Sequence, residues 1–262
     1  MKPIRSPDNA HFRHWLRLAA TPRAVRDSAQ TLAEGLHLAQ AALAAAMPVE
    51  ALLLRRDATH PELAAVLGQL PATVPRYELA PALYDQLAPV EHGVGLMLVL
   101  PVPAPPLPEA ATVDCVFLDG VQDPGNVGAI LRTAAAAGVR HVLASAGTAS
   151  LWAPKVLRAA MGAHFRLTLH ERVAADALAQ ALQGPWIAAV AHDAPSLWQA
   201  PLPAGAVGWI FGAEGAGPSP AALAACAQRV CIPTSDAVES LNVAAAAAVC
   251  LFERLRQGQD SR

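Results

Sequence analysis

The stretch "VFLDGVQDPGNVGAILRTAAAAGV", residues 116–139, decides the fold class. It begins as a short apolar run and turns sharply through Asp123, Pro124 and Gly125. It continues as a helix built almost wholly of small residues. An apolar strand that feeds directly into a helix is the first half of a βαβ unit. Within the helix, Val127, Ile130, Leu131 and Ala134 fall at core spacing, and Gly128, Arg132 and Ala136 fall on a different face. Asn126, just past the turn, is placed to cap the helix by accepting a backbone N–H. Arg132 is the odd residue, a lone guanidinium whose small neighbours leave room for something large to dock. On this stretch alone, a surface arginine packing its stem on alanines is the favoured reading.

The same alternation continues downstream. Apolar strands read at 113–120, 140–145, 185–191, 206–212 and 229–233, with helices at 126–137, 153–161, 173–183, 219–227 and 242–256. Strands buried on both faces and separated by helices predict a mostly parallel sheet. Upstream, periodicity predicts a helix over 28–46, a strand over 49–55, a helix over 60–70 and a strand over 94–100, a second and smaller α/β domain. Between the two lies "LPVPAPPLPEAAT" (100–112), whose five prolines exclude helix and central strand and predict a stiff, extended linker. The expected division is 1–100, 101–112 and 113–262.

Composition excludes several classes. With 54% hydrophobic and 15% charged residues, the chain of 262 residues is not disordered. Its longest apolar run, "VAAAAAVCLF" (243–252), is too short for a membrane span and fits a buried or interface helix. The opening "MKPIRSPDNA" has no apolar h-region, so no signal peptide is expected. Cys115, Cys226, Cys231 and Cys250 form no CxxC pair, which predicts reduced thiols and a cytoplasmic location. A net charge of −2 excludes nucleic-acid binding by bulk electrostatics alone. The charge is unevenly spread, however. Residues 1–26 hold Lys2, Arg5, Arg13, Arg17, Arg23 and Arg26 against Asp8 alone, a solvated helix face or a phosphate-contacting patch. Beyond His11 and His14 in this arm, no histidines show zinc-ligand spacing.

Two further stretches carry chemistry. In "VGWIFGAEGAGPS" (207–219) an apolar strand enters a loop with glycines at 212, 215 and 217 and an acid, Glu214. Such a loop lets a ligand approach the backbone. A dinucleotide fingerprint is disfavoured, because GxGxxG belongs after an early strand and the spacing here is GxxGxG. In "CIPTSDAVESLNVAAAAAVCLFE" (231–253) a short strand ends at Pro233, and Ser240-Leu241-Asn242 leads into an alanine-rich helix. Ser240 and Asn242 read as caps, Asp236 with Glu239 as a capping box, and the alanine face as a surface for close helix approach.

In order and spacing, "LDGVQDPGNVGAILRTAAAAGV", "FGAEGAGPS" and "IPTSDAVESLNVAAAAAV" resemble motifs 1, 2 and 3 of the SpoU (TrmH-like) branch of the SPOUT RNA methyltransferases. The stretch "LRLAATPRAVRDSAQTLAEGLHLAQAAL" (16–43) is similar to the substrate-binding domain that precedes the catalytic domain in many members, a domain of L30e/L7Ae-like fold. The resemblance implies an α/β SPOUT domain with a C-terminal trefoil knot that binds S-adenosylmethionine. Gly212, Ile232 and Leu241 would lie at the cofactor, Ser240 and Asn242 would brace the knot and the site, and Glu214 matches the acid of motif 2. Arg132 matches the arginine assigned to catalysis, with Asn126 supporting it. The implied reaction is methylation of a ribose 2′-hydroxyl in RNA, in rRNA rather than tRNA, with S-adenosylhomocysteine as product. No metal is implied, since the sulfonium is already an activated leaving group. A homodimer is implied, leaving open which protomer supplies Arg132 to each site.

The sequence departs from the family pattern at Ala160, where serine is frequent, and at Ala137, where an aromatic is frequent; neither is a catalytic position. Two other readings remain at this point. One is an inactive RNA-binding or ribosome-associated protein of the same fold, against which the joint presence of Asn126, Arg132, Glu214, Ser240 and Asn242 counts. The other is a nucleotide-binding oxidoreductase, which the late position of the glycine loop disfavours.

Overall fold

After a three-residue strand, β1 (Lys2–Ile4), the Asn9 side chain accepts the N–H groups of His11 and Phe12 and starts α1 (Ala10–Ala20). This helix buries Phe12, Trp15 and Leu18 and leaves Arg13 and Arg17 exposed, so the basic arm is a folded face. Thr21 then caps α2 (Pro22–Ser28), which has proline at its first position. There follow β2 (Gln30–Glu34), α3 (Leu36–Ala44), β3 (Ala51–Arg55), α4 (Leu63–Gln69), β4 (Arg76–Leu79), α5 (Pro81–Leu87) and β5 (Leu96–Pro101). The later elements are β6 (Cys115–Asp119), α6 (Pro124–Ala136), β7 (His141–Ala144), α7 (Pro154–Ala160), β8 (Thr168–Glu171), α8 (Leu178–Ala181), β9 (Trp186–Val190), β10 (Gly208–Gly212), α9 (Pro220–Ala225), β11 (Gln228–Cys231) and α10 (Val243–Gln259). The computed structural model describes residues 1–88, 93–235 and 239–259.

Two units emerge. The first comprises Met1–Pro103 with Trp152–Phe165, and the second Ala104–Leu151 with Arg166–Arg262. In the first unit, the described strands form a five-stranded mixed sheet in the order β1-β4-β3-β5-β2, with β5 antiparallel to both β3 and β2. The helix expected over 28–46 is interrupted there. Gln30–Glu34 pair with Met97–Pro101 and bury Thr31, Leu32 and Ala33, so sheet pairing overrides helix-favouring residues. Gly35, at φ 99°, then allows the turn into the shorter α3. The segment 152–165 belongs with this unit through specific polar contacts. The Thr31 hydroxyl donates to the Trp152 carbonyl at 2.6 Å, and His37 Nε2 lies 3.1 Å from the Met161 carbonyl.

In the second unit, the described strands form a six-stranded sheet, β11-β9-β10-β6-β7-β8, parallel at every pairing as the alternation predicts. All five strands read from the sequence here occur, and β8 is an addition. One face packs Cys115, Phe117, Leu143 and Ile210 against Leu178 and Trp186. The Trp186 indole N–H finds the Leu178 carbonyl at 2.8 Å, which satisfies its polar atom inside that core. On the opposite face Trp209 stacks with Phe211, and α10 packs on α6. Small residues on both helices, Gly128 and Ala247 among the buried ones, suit that close approach. Among the described residues no helix is long and apolar enough to cross a membrane.

Burial also governs the thiols. Desolvation, with the Asp114 charge adding to it for Cys115, pushes the Cys115 and Cys250 thiols up to about 12. Iodoacetamide at pH 8 is therefore expected to label Cys226 and Cys231, both half-buried, and to spare Cys115 and Cys250 until the protein is unfolded. Peptide mapping of native and denatured samples reads this directly.

Candidate active site

The order of strands predicts where a ligand can sit. The chain leaves β6 through α6 toward β7 on one side, and leaves β10 through α9 toward β11 on the other. β6 and β10 are neighbours, paired Asp119 to Gly212 at their carboxyl ends. Crevices at such switch points, beyond the carboxyl ends of parallel strands, are the usual ligand sites of α/β sheets. A cavity of about 290 Å³ lies at this carboxyl-end edge of the sheet, on the β10 side of the switch point. It is lined from Ala189–Ala191 at the end of β9, Phe211–Gly215 at the end of β10, and Ser240–Val243.

The glycine loop folds back over its own strand. A Cβ on Gly212 would stand 2.0 Å from both Gly217 C and Pro218 N, so only glycine fits beneath the returning chain. The Gly217 N–H donates to the Ala213 carbonyl at 2.9 Å, and Gly217 takes φ 68° to close the turn. The far end of the loop is held by Asp119, whose Oδ2 accepts the Ser219 N–H at 2.7 Å. Asp119 is thus a positioning residue missed by the sequence reading. The signal was its place at a strand end, directly before Gly120, which turns at φ 75°.

Three distant segments meet at one amide. Asn126 Nδ2 donates to Glu214 Oε1 at 2.6 Å, and Asn242 Nδ2 donates to Asn126 Oδ1 at 2.9 Å. Asn242 Oδ1 in turn accepts the N–H groups of Ala244 and Ala245, so it caps α10 as expected. Asn126 does not cap α6. That role falls to Asp123, whose Oδ1 accepts the Asn126 N–H at 2.7 Å, because Pro124 occupies the first helical position. With capping assigned elsewhere, the Asn126 side chain is free to join the glycine loop to the start of α10.

The cavity lining gathers Gly212, Glu214, Ile232, Ser240, Leu241 and Asn242, six of the eight residues singled out from the sequence. Asn126 reaches it through Glu214 and Asn242. Arg132 does not line it; it stands exposed on α6, six residues beyond Asn126. Asp236, the proposed partner of Glu239 in a capping box, lies outside the described residues. Among the described residues the lining contains Glu214 and Glu239 and no lysine, arginine or histidine. That charge balance disfavours a ligand whose phosphates need neutralising and favours one carrying positive charge. No group of three or more His, Cys, Asp or Glu among the described residues is placed to hold a metal ion.

The substitution Asn126→Asp sets a carboxylate against Glu214 across a 2.6 Å contact. Repulsion and the lost donor are expected to weaken the link by about 1–3 kcal/mol, lowering ligand affinity about tenfold or more. Combining Asn126→Asp with Glu214→Gln puts a donor opposite an acceptor again, and a double-mutant cycle on affinity should show recovery.

Comparison with known proteins identifies the family. The SpoU rRNA methylase family model matches residues 115–252. The 23S rRNA (guanosine(2553)-2′-O)-methyltransferase RlmP of Bacillus subtilis is 29% identical over 253 residues, covering 96% of this chain and 98% of that protein. The 23S rRNA (guanosine-2′-O-)-methyltransferase RlmB of Nitrosomonas europaea is 38% identical over 147 residues, covering 54% of this chain and 55% of its own length. Among solved structures, the SpoU methyltransferase AviRb of Streptomyces viridochromogenes, determined with AdoMet, superposes with a TM-score of 0.87. It covers 97% of this chain and 100% of its own at 24% identity, which speaks to the fold. With the three motifs joined at the Asn126 amide and the family model spanning more than half its length, the chain belongs to the SpoU rRNA methylase family.

Proposed function

We propose that the protein transfers a methyl group from S-adenosylmethionine to a ribose 2′-hydroxyl of RNA, with rRNA as the substrate class. The observation that carries this reading is the single contact point at which Asn126, Glu214 and Asn242, one from each motif, join beside a cavity whose lining has no basic residue among the described residues. The residues fit the cofactor. Gly212 lets the glycine loop close over the strand end and shape the cavity wall, Ile232 and Leu241 offer aliphatic surface for an adenine, and Glu214 and Glu239 suit a cationic sulfonium. Bound S-adenosylmethionine supplies a methyl group already activated as a sulfonium. The names of the RlmP and RlmB relatives support rRNA over tRNA.

In this reading Asn126, Glu214, Ser240 and Asn242 hold the loops that shape the cavity. Arg132 donates hydrogen bonds to the ribose 2′-oxygen as its proton passes to solvent water, stabilising the developing alkoxide. The O–CH3 bond forms as the sulfonium S–CH3 bond breaks, and the thioether of S-adenosylhomocysteine leaves. A guanidinium keeps its protons, so a positioning and electrostatic role suits it better than that of a general base. The C-terminal domain, 113–262, carries the catalytic site and its trefoil knot; the return of the chain from edge strand β11 past the cavity to α10, packed on α6, supports the knot. Residues 1–100 form an L30e-like RNA-binding domain behind the linker 101–112, its exposed Arg5, Arg13, Arg17 and Arg26 meeting phosphates. The working form is a homodimer. Supporting this, α10 exposes Ala245, Phe252 and Leu255 in one stripe, and Arg132 stands away from the cavity of its own chain.

Transfer of labelled methyl to deproteinised rRNA and tRNA tests the proposal, with alkali resistance of the labelled linkage as the mark of a blocked 2′-hydroxyl. Label in rRNA alone is expected. S-adenosylhomocysteine should raise Tm where NAD does not. Absence of both methyl transfer and cofactor binding refutes the reading.

A further inference from the structure

Four of the five tryptophans, Trp15, Trp152, Trp186 and Trp209, are at most 4% exposed, whereas Trp198 is 53% exposed. It sits on the connection between β9 and β10, and that stretch of backbone is fixed. The Leu197 N–H donates to the Cys231 carbonyl at 2.8 Å, and the Cys231 N–H donates to the Pro195 carbonyl at 2.9 Å. Leu197 itself is wholly buried and anchors the turn. Trp198 N–H then donates to Ser196 Oγ at 3.2 Å, and the N–H groups of Gln199 and Ala200 share the Ser196 carbonyl. An indole is therefore held in solvent on a backbone that has little freedom left to lose.

Its position matters. Cys231 is the last residue of β11, so the anchored turn stands at the carboxyl-end rim of the parallel sheet, the rim on which the cavity opens. Ala191, where the connection begins, and Ile232, next to its anchor, both line that cavity. β11 also exposes Arg229 two residues before the anchor.

We propose that Trp198 is a stacking platform for an unpaired base of the RNA that is methylated, a specificity contact outside the cofactor cavity. The inference rests on the RNA reading above. A single planar ring on fixed backbone is what base stacking requires, since every nucleobase offers a π-face. A protein partner requires a continuous apolar area of several hundred Å². The sequence neighbours His192, Asp193, Pro195 and Gln199 are exposed and mostly polar, and supply no such area.

The test uses the full chain, a single-stranded oligoribonucleotide, and the same strand annealed into a blunt duplex. Trp198→Ala is expected to weaken binding of the single strand about tenfold and leave duplex binding unchanged. Trp198→Phe should stay close to wild type because a ring is retained. The affinity for S-adenosylhomocysteine and the mass in solution should not move in either variant. Acrylamide quenching gives an independent reading: the accessible tryptophan emission of the wild type should disappear in Trp198→Phe and be shielded when the single strand binds. Unchanged RNA affinity in Trp198→Ala, or a change of mass showing that the ring touches a second copy, overturns the proposal. So does a Trp198→Phe variant as weak as Trp198→Ala. Failure of the wild type itself to bind or methylate RNA is a separate result, which removes the RNA reading and this inference together.

Discussion

Gly212→Ala is expected to lower cofactor affinity at least about a hundredfold. The added Cβ would stand 2.0 Å from Gly217 C and from Pro218 N, and 2.4 Å from the Gly217 carbonyl oxygen. These are backbone atoms, so no rotamer change can relieve the contact; either the loop lifts or the strand shifts. Neither is easy, because Gly212 is paired with Asp119 on β6 while Asp119 also holds Ser219 at the far end of the same loop. Overpacking of a well-fitted site costs about 1–3 kcal/mol, and a backbone clash of this depth falls at or above the top of that range. The loop that must yield is the one that lines the cavity, so affinity for S-adenosylhomocysteine is expected to fall at least about a hundredfold by calorimetry. Gly205→Ala is the control. It lies in the same unit with nothing within 4 Å of the new atom and should leave affinity and Tm unchanged. Wild-type affinity in Gly212→Ala would mean that the loop is looser than its hydrogen bonds imply.

The doubly buried strands of the second unit were legible because each is a short apolar run closed by a turn residue, and such runs have few alternatives. The segment Gln30–Glu34 was not, because Gln, Leu, Ala and Glu favour helix locally. What makes it a strand is an antiparallel partner about seventy residues away, which no local pattern reports. The site was legible as a set of residue types, since glycines and capping residues cluster in three short stretches. The division of labour was less so. Asn126 follows a turn and resembles a cap, yet Pro124 moves the cap to Asp123 and releases the Asn126 amide to face Glu214 and Asn242, 88 and 116 residues distant. Asp119 was passed over for a similar reason, since its bond partner Ser219 is a hundred residues away. Local chemistry can be read from sequence; the pairing of a strand-end carboxylate with a distant loop is fixed only by the register of the sheet between them.

Arg132→Ala is expected to lower kcat by about 10²–10³ while leaving Tm and cofactor affinity within error of wild type. The separation follows from its surroundings. Arg132 is exposed, lines no part of its own cavity, and has no ion-pair partner among the described residues, so its removal unbinds nothing that holds the fold. Arg132→Lys keeps the charge and loses the fork, and activity close to wild type would show that charge alone suffices. The position of Arg132 also makes a sharper expectation. Six residues of helix place it about 9 Å along the axis from Asn126 and on another face, which suits service to the cavity of a second protomer. Coexpression of Arg132→Ala with Gly212→Ala decides the matter. If each arginine serves the partner's cavity, a mixed dimer has one intact site, the Arg132→Ala chain giving the cavity and the Gly212→Ala chain the guanidinium. Random pairing should then restore about a quarter of wild-type activity from two inactive variants. If each arginine serves its own cavity, the mixed dimer contains no intact site and stays inactive, and Arg132 must then reach the cavity within one chain by a movement of α6.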